Sequence, residues 1–378
     1  LVVVDGLPAG LSISRDDLSG VMARRRRGFG RGGRKNVERD ELTLWGGIRN
    51  GLTTGGPVGI SVENAEWEHW DGVMNPWSIS PAADREKAVT APRPGHADLP
   101  GSIKFGVENM RNILERASAR TTAPRTLAGA LAALVLKELG VTVRSAVESI
   151  GGVAASLPSD DGEWHRAALS DLGVAREEDE PALETRITAA AEEETSLGGT
   201  FVVSVTGLPA GIGSFTEWDG RLDGHLAGAV MAIPAVKGVE FGDGFRCAGL
   251  PGRDVHDPIF VEDGRWARKT NHAGGIEGGM STGQEIFIRA AMKPIPTMRK
   301  GLLSFDTVSG RPSAAHSERS DVCAVPAACV VAEAMTAWIV GSMAAEQFGS
   351  DRMQDLKERF EAYRKHAERW NLHDCMPS

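Results

Sequence analysis

The sequence predicts an α+β fold made by internal duplication, and three observations carry that reading. VVVDGLPAGLS (residues 2–12) recurs as VVSVTGLPAGIGS (202–214). GGIRNGLTTGGPVGI (46–60) recurs as GGIEGGMSTGQEIFI (274–288), with Gly, Gly, Ile, Gly, Thr, Gly and Ile kept in place. ERASARTTAP (115–124) has a weaker counterpart in ERSDVCAVP (318–326), and each member of that pair runs into an apolar helical stretch. Collinear matches at a period of about 200 residues indicate a pseudo-twofold protein, not a solenoid.

In chain order, β-branched and apolar runs predict strands at 1–5, 57–63, 201–206 and 284–292. Helices are expected at 16–27, 106–117, 124–139, 220–233, 322–346 and 351–370, the last with 3.6-residue periodicity and dense charge. Segment 158–198 carries REEDE and AEEE and reads as a solvated surface helix pair. Each half is β–α–β in outline. The whole chain, 1–378, reads as a single domain with halves at about 1–150 and 198–348 and a C-terminal helix at 349–378. A repeat of this kind places a site between the halves, built from loops of both.

Composition narrows the class. Hydrophobic residues are 41% and charged residues 25%, as in a soluble globular protein, which excludes wholesale disorder. No apolar run reaches the roughly 18 residues that a spanning helix needs, so no membrane is expected and the cytoplasm is. The opening LVVVDGLPAGLSIS has neither a basic n-region nor a small-residue cleavage site, so a secretory signal is not expected there. Cys247, Cys323, Cys329 and Cys375 form no C-x-x-C pair and no zinc spacing, which predicts reduced, buried thiols and no metal.

The net charge is −9, yet 32 of the 42 basic residues are Arg. Arginine is the better fork for phosphates and carboxylates, because its planar donors bind two oxygens at once. Six of them fall between Arg24 and Arg34, interleaved with Gly28, Gly30, Gly32 and Gly33. Glycines let the backbone approach an anion closely. An anion-binding loop, an RGG-type nucleic-acid segment and a solvated basic surface all fit this run. An acidic chain with 6% aromatics weakens the nucleic-acid reading.

Further along, TAPRPGHADLPG (90–101) sets Arg93 and His96 around a Pro-Gly turn, with Asp98 two residues on. A histidine there is either structural or a proton donor working near its ordinary pKa. RASARTTAPR (116–125) places Arg116, Ser118, Arg120 and Arg125 at a helix mouth, for phosphate binding or for ordinary capping. NHAGGIEGGMSTG (271–283) and KPIPTMRK (293–300) form a Gly-rich loop and a Pro-stiffened turn that match no generic nucleotide motif. Arg319 and Asp321 precede a helix, with Asp321 either an N-cap or a base beside an Arg-lined anion. Several Arg-rich loops thus converge on a multiply anionic small molecule, without naming its reaction.

Together these motifs resemble the chorismate synthase family. R-x-x-G-[FY]-G-R-G-G-R, R-P-G-H-A-D, R-A-S-A-R, K-G-V-E-F-G, G-G-x-x-G-G, K-P-I-P-T and R-S-D occur in the family's order and approximate spacing, from Leu1 to about residue 348. The resemblance implies a duplicated β/α/β sandwich with helices between antiparallel sheets, assembled as a homotetramer. It implies a carbon–oxygen lyase that converts 5-enolpyruvylshikimate 3-phosphate to chorismate and phosphate by anti-1,4 elimination. That is the last common step before the aromatic amino acids, and it needs reduced FMN although no net redox change occurs. A substrate with one phosphate and two carboxylates accounts for Arg clusters on an acidic protein.

Carried over by motif, Arg25, Arg31 and Arg34 resemble substrate-side and NADPH positions, and Arg93 belongs to the same anion cage. His96 resembles the histidine that protonates, or keeps protonated, the reduced flavin. Arg116, Ala117 and Ser118 resemble the first FMN segment, and Pro234 and Ala235 the second. Gly278 resembles the third, and Lys293, Pro294, Ile295, Pro296 and Thr297 the fourth. Arg319 resembles the arginine that meets flavin or substrate phosphate, and Asp321 the carboxylate that helps the flavin N5 remove the C6 proton. Thr121 and Thr282 stand where the family more often has Glu and Asn. The family opens with a strand and a Gly-Glu-Ser-His-Gly loop whose histidine protonates the leaving phosphate. This chain starts just after it, so a truncated sequence is expected. Without that loop, a non-catalytic flavin- or anion-binding remnant is the alternative to the enzyme, and an RNA binder is the third reading.

Overall fold

The computed structural model describes residues 1–31, 40–262, 265–318 and 320–369. It opens with β1 (Val2–Val4) and α1 (Arg15–Arg26), then β2 (Leu42–Gly46), β3 (Ile48–Arg49), β4 (Leu52–Thr53) and β5 (Val58–Val62). Helices α2 (Trp67–Met74), α3 (Pro81–Glu86), α4 (Asp98–Phe105), α5 (Arg111–Arg116) and α6 (Thr122–Glu138) follow. Next come β6 (Thr142–Ile150), β7 (Val153–Ala154), α7 (Asp161–Leu169), α8 (Glu180–Glu192), β8 (Gly199–Thr206) and α9 (Leu222–Met231). The remaining strands are β9 (Val236–Phe241), β10 (Ile259–Glu262), β11 (Arg265–Arg268), β12 (Ile276–Glu277), β13 (Met280–Ser281), β14 (Ile286–Met292), β15 (Leu303–Phe305) and β16 (Pro312–Ala314). The long helix α10 (Val325–Phe348) and α11 (Met353–Arg369) close the described chain.

The repeated sequences fold into the same antiparallel strand pair twice. β1 lies antiparallel to β5 with Val2 opposite Ile60 and Val4 opposite Val58, while β8 lies antiparallel to β14 with Val203 opposite Ile288 and Val205 opposite Ile286. These are equivalent repeat positions. The agreement extends to single hydroxyls. Thr53 Oγ1 donates to Pro8 O and accepts from Leu11 N, and Ser281 Oγ does the same with Pro209 O and Ile212 N. Only a small hydroxyl can both donate and accept there, which is why the repeat keeps Thr or Ser. Gly47 and Gly275 are equivalent too. Both have positive φ, and a Cβ on either would fall 2.4 Å or 2.3 Å from the carbonyl oxygen of Pro57 or Glu285.

The two strand pairs belong to separate antiparallel sheets, one ordered β1-β5-β2 and the other β7-β6-β8-β14-β9. Helix α6 packs on β1 and β5, α10 packs on β6 and β8, and the two helices cross between the sheets. The crossing is close at Gly129, where a Cβ would sit 2.1 Å from Ala334 O. The fold is therefore the expected α+β sandwich with helices inside. Strand β14 shows the logic in its alternation: Ile286, Ile288, Ala290 and Met292 are buried against the helices. Arg289, on the outer face, bridges Glu148 of β6 and Glu240 of β9.

The expected strands coincide with β1, β5, β8 and β14, and most expected helices with α1, α6, α9, α10 and α11. Of 106–117, only Arg111–Arg116 is helical in α5, because α4 ends at Gly106 in a left-handed cap. Segment 158–198 does hold two helices, but its apolar face is used: Leu183 and Ile187 are fully buried. Central strand β6 was not expected, since its outward Arg144 and Glu148 and its inward Ser145 dilute the apolar run. Helix α10 corrects the membrane count. Among the described residues it alone is long and apolar enough to cross a bilayer, and most of it is buried in the protein core.

Candidate active site

The basic loop is placed by α1. Ser14 and Asp17 form a reciprocal capping box at the start of that helix, and Arg24, Arg25 and Arg26 occupy its last turn, where cations suit the dipole. Arg24 makes a bidentate pair with Glu333 of α10 at 2.6 and 2.8 Å, fixing α1 to the core helix. Arg31 turns back to donate to the Arg25 carbonyl at 3.0 Å. Val322 N donates to Gly30 O at 2.8 Å, which brings the loop beside Asp321, and Arg31 Nε lies 3.2 Å from Asp321 Oδ2.

A second cluster forms around Asp98, whose side chain is wholly buried. Arg93 donates Nε and Nη2 to its two oxygens at 2.8 and 3.0 Å, and its backbone N at 3.1 Å. His96 Nδ1 lies 2.6 Å from Asp98 Oδ1. Burial alone would raise the Asp98 carboxyl. Hydrogen bonds from His96 and Arg93 outweigh that and hold it well below the usual carboxylate range. The ionised carboxylate can only accept, so Nδ1 is the donor to it, and Nε2, with Arg93 Nη2 3.4 Å away, is the other ring nitrogen.

The Pro-stiffened segment closes one wall. Thr297 Oγ1 accepts from Arg93 Nη1 at 2.7 Å, and Lys293 Nζ donates to Gly95 O at 2.8 Å. Burial, and then the neighbouring charge of Lys237, lower the Lys293 ammonium from its ordinary value. Ser320 Oγ donates to Thr297 O, tying this segment to the one that carries Asp321. Ala235 lines the cavity in a left-handed conformation, φ +69°, unusual for a residue with a Cβ.

These pieces enclose a cavity of about 370 Å³, inside the range of about 300–1,000 Å³ typical of ligand sites. Its lining comes from both halves of the chain. Arg25, Arg31, Arg93 and Arg120 supply the cationic rim. Ala324, Ala327, Ala328 and Val331 of the α10 segment, with Ile233 and Pro234, give a smooth apolar wall. Of the residues singled out from sequence, the cavity gathers Arg25, Arg31, Arg93, His96, Ala117, Ser118, Pro234, Ala235, Lys293, Ile295, Pro296, Thr297 and Asp321. Pro294 lies in the same segment but does not line it. Arg116 ends α5 with its side chain exposed, and Gly278 sits in the β12–β13 turn, so neither lines it. Arg34, Arg319 and Cys375 lie outside the described residues.

The structure bears on two of the open sequence alternatives. Asp321 is not the N-cap of α10, whose cap residue is Ala324 with no side-chain bond. Ser118 does cap, accepting from Arg120 N at 3.2 Å, and lines the cavity as well. Cys323 and Cys329 are buried thiols pushed up to about 12 by desolvation, inert as nucleophiles. Sequence reasoning missed Asp40 and Glu318. Asp40 is fully buried against Arg25, Arg26 and Arg120. Glu318 lines the cavity and is held at about 2 by hydrogen bonds from His316 and Arg111. For Asp40, the need of the clustered arginines for a counter-charge was the available signal.

An α+β sandwich with an Arg-rimmed, apolar-walled cavity lined by both halves of the chain has the features of a site for a small anionic ligand. Comparison with known proteins narrows this. A family model described as chorismate synthase matches residues 1–344. The chain is 47% identical to the chorismate synthase of Moorella thermoacetica over 366 residues, covering 97% of this chain and 95% of the relative. It is 44% identical to that of Brevibacillus brevis over 371 residues, covering 97% and 96%. A solved crystal structure of a chorismate synthase superposes with a TM-score of 0.76 at 33% identity, covering 97% of this chain and 93% of the other. The chain belongs to the chorismate synthase family. Its reaction is that of a lyase, forming chorismate and phosphate from 5-enolpyruvylshikimate 3-phosphate on the route to the aromatic amino acids.

Proposed function

We propose that the elimination takes place in the cavity between the halves, with FMN as the flavin. The observation that carries this is the joining of a cationic rim to an apolar wall in one cavity of ligand size. The α10 alanines, Ile233 and Pro234 suit a planar ring, and Ala117, Ser118, Lys293 and Thr297 suit its polar edge and phosphate. The residues present therefore fit the flavin that the family uses. When bound, reduced FMN supplies electron density as phosphate departs from the substrate and takes it back as the C6 proton leaves.

The chain's own residues then have separable tasks. Arg25, Arg31, Arg93 and Arg120 hold the substrate's phosphate and carboxylates, each fork matching two oxygens. Asp98 fixes the His96 ring and tautomer through Nδ1, so that Nε2 is the atom that gives or holds a proton. Asp321, which lines the cavity beside Arg31, is the carboxylate placed to help take the C6 proton. Lys293 donates to Gly95 O and keeps the His96 turn against the Pro-stiffened wall. NADPH as the source of reducing equivalents, a homotetramer and a cytoplasmic location complete the proposal.

The test is anaerobic turnover of 5-enolpyruvylshikimate 3-phosphate with reduced FMN, reading chorismate and phosphate together. His96→Ala should slow turnover by about 10²–10⁴ with flavin affinity largely kept. Wild-type turnover in that variant would remove His96 from the mechanism.

A further inference from the structure

Four guanidiniums around one cavity repel one another unless carboxylates stand behind them. Arg31 has Asp321 and Arg93 has Asp98. Arg25 and Arg120 share one carboxylate, Asp40. Arg25 Nη2 donates to Asp40 Oδ2 at 3.0 Å, and Arg120 Nη1 donates to Oδ1. Arg26, which does not line the cavity, brings Nε to 3.6 Å from Oδ2. The Asp40 side chain is 0% exposed. It does not line the cavity and so cannot touch a ligand there.

The arrangement couples distant parts of the chain. Arg25 belongs to the last turn of α1, and Arg120 to the turn that leads into α6. Arg120 is further fixed by Nη2, which donates to Glu63 O at 2.8 Å just beyond β5. One buried carboxylate thus bridges two cavity-facing forks that come from distant parts of the chain. We infer that Asp40 is a positioning residue for the substrate polyanion, setting where the Arg25 and Arg120 forks meet its charges. The inference rests on the assignment of those two arginines to the substrate.

Charge and position make opposite predictions here, which gives the test its edge. Removing the carboxylate adds one net positive charge beside the cavity, so a pure charge account has anions binding more tightly. If Asp40 acts by position, the freed forks lose their geometry and substrate binds more weakly. Asp40→Asn is the right variant, because residue 40 has φ +48° and Asn accepts the left-handed region as readily as Asp. The expected result is a KM for 5-enolpyruvylshikimate 3-phosphate raised about tenfold, the loss of one charge-assisted contact. The kcat should stay within about threefold and flavin affinity likewise, which a general loss of structure would not allow.

Asp40→Asn/Arg26→Gln restores the local net charge of the wild type and serves as the second variant should the single one fold poorly. Its KM should remain raised, because position is still lost. Arg25→Gln is the control for the underlying assignment and should also raise KM. An unchanged or lowered KM in Asp40→Asn, with Arg25→Gln impaired, overturns the positioning role alone. A KM back at the wild-type value in the charge-balanced double variant overturns it too, leaving Asp40 a simple counter-charge. If Arg25→Gln itself binds substrate normally, the substrate assignment falls and the inference with it.

Discussion

Replacing Asp98 by Asn tests the histidine cluster most sharply. The carboxylate accepts from His96 Nδ1, Arg93 Nε, Arg93 Nη2 and Arg93 N, all within 3.1 Å. An amide has one accepting oxygen, and its NH₂ would face another N–H. Two charge-assisted bonds are lost, at about 1.5–3 kcal/mol each. Breaking a buried ion pair from one side gives a matching figure of about 3–5 kcal/mol. Stability at pH 7 should therefore fall by that amount in a denaturant titration. The sign of its pH dependence follows from the depressed carboxyl. Asp98 stabilises the fold fully above its unfolded pKa of about 4, and that contribution disappears as pH falls through its folded value. The gap between wild type and variant should thus be full at neutral pH and narrow below about pH 4. Turnover should drop by about 10² or more as His96 loses its tautomer and orientation. A variant as stable as wild type at pH 7, or one with an unaltered turnover–pH profile, would refute the reasoning.

Other expectations are independent of that cluster. Glu318→Gln should cost up to roughly 3 kcal/mol at pH 7, a penalty that fades between about pH 4.5 and pH 2 as the wild-type carboxyl protonates; equal acid unfolding of the two proteins would contradict it. Asp321→Ala should reduce chorismate formation by orders of magnitude while flavin affinity stays near wild type, and undiminished turnover would exclude it as the base. Gly129→Ala forces a Cβ to 2.1 Å from Ala334 O, so the α6–α10 crossing must open. A loss of about 1–3 kcal/mol or more is expected by thermal melting, and a neutral effect would mean the crossing yields freely.

Much of this was legible in the sequence because the repeat is local and steric. The Gly-Gly-Ile motif must form the same turn twice, since Gly47 and Gly275 each face a carbonyl oxygen at a distance no side chain tolerates. The cavity rim was legible because arginine, glycine and proline clusters are unusual at fixed spacing. What stayed hidden depends on partners far along the chain. Asp40 means nothing until Arg120, 80 residues away, is seen to share it. Glu318 and Arg111 meet across 207 residues. Strand β6 escaped because its outer face is polar, carrying the Glu148 that pairs with Arg289. Arg116 matches its motif as well as Ser118 does, yet the end of α5 turns its side chain to solvent, a matter of helix phase that spacing alone does not reveal.

The central claim is that one cavity between the duplicated halves receives both flavin and substrate. A crystal structure with FMN and 5-enolpyruvylshikimate 3-phosphate bound tests it directly. The flavin ring should lie against Ala327, Ala328 and Val331, with the substrate's phosphate and carboxylates among Arg25, Arg31, Arg93 and Arg120 and His96 Nε2 turned toward them. Ligands seated instead in the groove beside Trp70 and Lys87, or in the one beside Trp266 and Arg364, would contradict the account.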